Sequence, residues 1–360
     1  MEVFRGEFDS QVDIQAASLY SENELVILTH KGIVFIYSCQ TWKSRVLFET
    51  NPEHGAEYRD GGFDPSAKTS IYTMDDVVVV TNDYKTHGFV LNLKENYLVD
   101  LWRKDYLAEA SKYPIALFMN EKGEPCLIFG AAWNQIQVAN LTSRQILTAD
   151  KSLIEEDAEQ QYIETYKKYK TKMNKLFWPN EYDYFYGRLI LSPDKKKFLS
   201  AGWEWGSCNC YKLYDVNDFI SNRRIKDVTV GRFEHNDRAV CFVDNDTVAV
   251  IFDPNLDGLY QGDNQSGNAP YEIRLYHSDG RGEKRLISIT ESLDLDGAEL
   301  VFNQRNQCFY TFSGKIGMAV ISLGGEIVFH EPAFIPQIYD ERHGRFISYD
   351  KRQLSVHKLE

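Results

Sequence analysis

No stretch of this sequence approaches the roughly 18 consecutive apolar residues that a membrane-spanning helix needs, so no helical span is expected. The first ten residues carry Glu2, Arg5, Glu7 and Asp9 and lack an apolar core of signal-peptide length, so no export signal is read. Only six cysteines are scattered through 360 residues, which fits reduced thiols in a cytoplasm better than a disulfide framework. The glycosylation triplets at Asn140, Asn245 and Asn264 then read as chance matches. Positive charge is in deficit. A formal net charge of −13 repels nucleic-acid phosphates and anionic membrane surfaces alike, so neither is expected as a partner.

The signatures of catalysis are missing too. The eight histidines never form a His-x-x-Glu-His pair, and Gly280-Arg-Gly282 is a lone turn rather than a phosphate cradle. Cys208-Asn-Cys210 has no second thiol pair at zinc spacing and reads as two strand residues facing the same way. No catalytic residue is assigned on this basis.

What is abundant is apolar and aromatic. With 43% hydrophobic residues, 22 tyrosines and 21 phenylalanines, the chain has the material for a folded, strand-rich domain. A unit recurs along it: an apolar strand end, a short polar turn, a second apolar run, a gap, and a third apolar run. It occupies 18–39, 73–93, 117–141, 189–216, 241–253 continued at 272–279, 300–323 and 337–359, which makes seven copies. Runs such as Leu25 to Leu28 and Val77 to Val80 are continuously apolar, as expected of strands buried on both faces, and weaker fourth strands follow most copies. Four-stranded blades at this period predict an all-β fold, one seven-bladed β-propeller domain over 1–360. The seventh copy ends after its third strand, and Glu2 to Phe8 has no other partner. Pairing the two would close the ring and hide two strand edges.

The fourth copy, Ser192-Pro193-Asp194 through Ala201-Gly202 and closing on Tyr214-Asp215-Val216, resembles the blade signature of WD40-like propellers. The Gly-His and Trp-Asp dipeptides of typical repeats are absent, so the resemblance implies architecture and a scaffold or recognition role, with no catalytic residue attached.

Two insertions break the period, and insertions in repeat folds mark the binding face. In 150–186, between blades three and four, Ser152 and Glu155 read as a capping box, with acids early and lysines late, predicting a helix. Its apolar stripe includes Tyr162, Tyr166 and Tyr169; it packs either on the rim or on a partner. The aromatic run after it contains Trp178, Tyr182 and Tyr184, and the next blade adds Trp203 and Trp205. These eight are the candidate partner-binding residues, because aromatics bury much area at little entropic cost. The second insertion, 253–270 in blade five, opens with Asp253, Asn255 and Asp257 at the alternate spacing of a calcium loop, though a bidentate Glu is missing at its twelfth position. Calcium is therefore the one candidate cofactor.

The expected function is a non-catalytic interaction scaffold holding a protein partner on one face. The alternatives are a lactonase-like hydrolase with a metal in the central channel and a carbohydrate-binding propeller stacking sugars on the aromatics. Convergent carboxylates or histidines in the channel would favour the enzyme, and a dry aromatic patch would favour an interface.

Overall fold

A computed structural model describes residues 2–8, 13–50, 62–168, 181–205, 208–233, 238–257 and 269–359. Among them the strands form seven four-stranded antiparallel sheets, each built in chain order except the last. The first strands, Ile14–Ser21, Thr69–Met74, Ile115–Met119, Phe185–Leu191, Val240–Asp244, Glu299–Asn303 and Ile338–Asp340, lie against one another and form the inner ring of a seven-bladed propeller.

The hydrophobic core is distributed rather than central. Each of the seven seams between blades has its own buried cluster, such as Val79, Tyr113 and Leu127 between blades two and three, or Ala249, Ile273 and Phe309 between five and six. This is why the middle strands read as unbroken apolar runs. Every residue of Val77–Asn82 and of Thr247–Phe252 is buried, because both faces of the sheet meet a neighbour. Each Val, Ile or Leu so placed contributes roughly 1.5–3 kcal/mol. Outermost strands such as Ser44–Glu49 face solvent and alternate less.

The ring closes as the sequence predicts. Glu2–Glu7 pairs antiparallel with Gln353–His357, Glu7 opposite Gln353 and Glu2 opposite His357, as the outermost strand of blade seven. Phe8 N–H donates to Arg352 O at 2.8 Å, and Phe4 packs on Tyr37 and Trp42 of blade one at ring separations of 6.1 and 5.5 Å. The N-terminal strand therefore joins the last blade to the first.

Because strands alternate in direction, second-to-third turns and blade-to-blade connections share one face of the disc. Both insertions fall in such segments, 147–184 and 253–271; Tyr182 to Tyr184 enters blade four from that face, while 152–156 runs beside Arg223 to Ile225 of the third-to-fourth connection. The helix there spans Ala158–Lys168, five residues later than the capping box predicts. Tertiary pairing overrides the local signal: Ile225 N–H donates to Ile154 O at 2.9 Å, Glu156 N–H to Ile225 O at 2.8 Å, and Glu155 bridges Ile225 in parallel. Ser152 spends its own N–H on Arg223 O at 2.9 Å and caps nothing.

In blade four the Pro-Asp turn forms as expected, with Ser192 Oγ donating to Asp194 Oδ1 at 2.7 Å and Lys197 N–H to Ser192 Oγ at 2.9 Å. Its inner two strands approach closely across a bulge between Phe185 and Arg188. A Cβ at Gly187 would lie 2.0 Å from Ala201 O, and one at Gly202 would lie 2.1 Å from Phe185 O, so glycine is required at both.

Candidate aromatic binding site

Phe185 opens the inner strand of blade four at the insertion face and is 0% exposed. It is the hub of five rings. Trp203, directly opposite it on the next strand, lies parallel at 3.7 Å and 7°, and Trp205 meets its edge at 5.2 Å. On the other side Trp133, from the second-to-third turn of blade three, sits at 4.3 Å, and Tyr106, from the connection between blades two and three, at 6.4 Å. Backbone bonds sew these segments together, Lys104 N–H to Ala131 O at 3.0 Å and Tyr186 N–H to Trp133 O at 2.9 Å. The two ends of the row remain open: Tyr106 is 50% and Trp205 52% exposed.

Beneath the row lies a buried knot. Tyr182 and Tyr184 are 2% and 0% exposed, packed with Tyr186 and Tyr214, so neither presents a ring to solvent. Tyr182 OH donates to Asp227 and shares a 2.6 Å bond with Tyr214 OH, while Tyr184 OH reaches Ser200 O at 2.7 Å and Cys210 O at 2.8 Å. Burial pushes the Tyr182, Tyr184 and Tyr214 phenols well above their ordinary range. Lys212 Nζ lies over the Tyr182 and Tyr184 rings at 4.8 and 5.0 Å and pairs with Asp227 at 2.8 Å and Glu204 at 3.3 Å. Burial opposes the ammonium, but Asp227 and then Glu204 outweigh it and hold its pKa above the usual lysine value. Beside this knot, burial followed by the charge of Glu204 raises the Asp183 carboxyl, against the pull of Lys212.

The other candidates are distributed differently. Tyr162 is half-buried on the helix, the side chain of Tyr166 lies outside the described residues, and so do Tyr169 and Trp178 altogether. Sequence reasoning found Trp203 and Trp205 but missed Tyr106, Trp133 and Phe185. One signal was available: Gly130-Ala-Ala-Trp133 and Gly202-Trp203-Glu-Trp205 occupy the same turn of successive copies.

At the second insertion, Asp253 Oδ1 accepts from the N–H and Nδ2 of Asn255 at 2.9 and 3.1 Å. Asn255 Nδ2 in turn donates to Ala269 O at 2.9 Å and Asn255 Oδ1 accepts from Ala269 N–H at 3.0 Å, tying the two ends of the loop; the side chain of Asp257 lies outside the described residues. Among the described residues no three His, Cys, Asp or Glu side chains are placed to share a metal. In the channel, the carboxylates of Asp83 and Glu299 face cations, Lys112 at 3.7 Å and Arg188 in contact. Arg188 holds the Glu299 carboxyl below the ordinary range against the effect of burial. No described helix is long and apolar enough to cross a membrane. The chain matches no protein-family model, and no curated protein is significantly similar to it.

Proposed function

We propose that this propeller is a non-catalytic, WD40-like interaction scaffold of the cytoplasm, which receives a protein partner on its insertion face with the aromatic row as anchor. The observation that carries the reading is the pair of half-exposed rings, Tyr106 and Trp205, fixed at the ends of a row whose hub is fully buried. Aromatics held rigid before contact lose little entropy on binding and exclude water well, which is the behaviour of interface anchors. The paired state of the channel carboxylates gives a hydrolytic metal centre less support. The wholly or partly buried thiols fit a reducing compartment, with desolvation pushing those of half-buried Cys39 and buried Cys126 up to about 11. Calcium at Asp253, Asn255 and Asp257 is a separate proposal, supported by the ligand spacing. It expects a heat on calcium titration that Asp257→Ala abolishes, and no heat at millimolar calcium leaves the loop as a clasp alone.

The test is affinity capture from the native cell with the intact chain and with the Tyr106→Ala, Trp205→Ala variant. Loss of the main captured protein with the melting temperature kept supports the reading. Retention of the same captured protein overturns it.

A further inference from the structure

The aromatic row stands among carboxylates. Asp105 is exposed immediately before Tyr106, Glu204 lies between Trp203 and Trp205 in the chain, and Asp183 is exposed two residues before Phe185. Lys104 is exposed beside Asp105, and among the described residues the cation acting on Asp183 is Lys212, which is itself paired with Asp227 and Glu204. The net charge of −13 adds a long-range attraction for cations.

The chain also shows what chemistry suits this mixture. Lys212 is held between carboxylates and over two tyrosine rings, all from the same wall, with its side chain only 6% exposed. A second cation arriving from outside would meet the open counterpart of that arrangement, rings at Tyr106 and Trp205 with carboxylates at Asp105 and Asp183. A guanidinium meets it best, because its plane stacks on a ring while its fork bonds a carboxylate.

Resting on the interaction reading above, we infer that the aromatic row receives an arginine-containing basic segment of the partner, its guanidinium groups stacking on Trp205 and Tyr106 beside Asp183 and Asp105. Sequence context outside the guanidinium contacts contributes shape rather than charge. Binding of this kind weakens with salt but persists at physiological ionic strength, because ring stacking is not screened.

The experiment is calorimetry of the intact chain with a synthetic arginine–glycine peptide and its citrulline–glycine counterpart, which keeps the shape and removes the charge, at roughly 0.15 M salt. The expected result is saturable binding of the arginine peptide, with about tenfold weaker binding of the citrulline peptide and of the arginine peptide to Trp205→Ala. Asp183→Asn, an exposed change that leaves the rings in place, is expected to weaken it about threefold. Equal affinity for the two peptides, or an affinity unchanged in Trp205→Ala, overturns the inference. If partner capture still fails in the Tyr106→Ala, Trp205→Ala variant while the arginine peptide is ignored, the basic class alone is wrong. If capture is also unaffected, the site reading falls with it.

Discussion

Phe185 lies flat against Trp203, ring centroids 3.7 Å apart and planes 7° from parallel, because the two occupy paired positions on the inner strands of blade four. The pair divides the aromatic row into a buried hub and exposed ends, and stability and binding should separate along that division. Phe185→Ala empties a fully buried site and is expected to cost about 3–5 kcal/mol, read as a large fall in melting temperature. Trp205→Ala removes a half-exposed ring and should stay within about 1 kcal/mol. Equal losses in the two variants would mean that Trp205 is core.

Ring closure gives a second prediction. Deleting residues 2–8 strips the fourth strand from blade seven and exposes the edge of Gln353–His357. It also removes the Phe4 contacts to Tyr37 and Trp42. Thermal unfolding should shift far more than ordinary terminal fraying allows, with aggregation on heating. A truncated chain with unchanged melting temperature would show that closure contributes little.

Lys212 gives a third. Its ammonium pairs with both Asp227 and Glu204, so Lys212→Met takes a shared cation away from two largely buried carboxylates. Breaking a buried pair in this way is expected to cost about 3–5 kcal/mol at neutral pH. Since its folded pKa is raised, the stability it contributes is fully present below the unfolded lysine value and is lost as pH rises through the folded one. The wild-type advantage over Lys212→Met should therefore hold across neutral pH and shrink in strong alkali, as denaturation curves at several pH values would show.

Asp183 behaves in the opposite sense to a paired carboxylate. Its pKa is raised in the fold, so the fold favours the protonated acid. The stability it contributes is present below the ordinary carboxylate range and lost as pH rises through the folded value. Asp183→Asn should accordingly raise the melting temperature slightly at neutral pH and make no difference in acid. A fall at neutral pH would mean that the carboxylate has a partner that stabilises it.

The propeller was legible because its evidence is local and repeated. Unbroken runs such as Val77 to Val80 report burial on both faces wherever they occur, and the unpaired strand at Glu2 to Phe8 had one geometric use. What was misread depended on distant chain. The capping box at Ser152 is a sound helix signal, yet Arg223 and Ile225, some seventy positions later, recruit its backbone instead. Tyr182 and Tyr184 have the same polar-tipped rings as any surface anchor. Only the placement of Asp227, Ser200 and Cys210, which satisfy their hydroxyls, turns them inward. Tyr106 joins the row because blade two hands over to blade three beside Trp133, a neighbourhood that no window of sequence contains.

The most direct measurement is hydrogen exchange of the chain alone and in complex with its captured partner. New protection is expected at residues 104–108, 131–135 and 203–205, the three segments that carry Tyr106, Trp133, Trp203 and Trp205. Protection confined to the opposite face, at turns such as 22–23, 75–76 and 304–307, would contradict it.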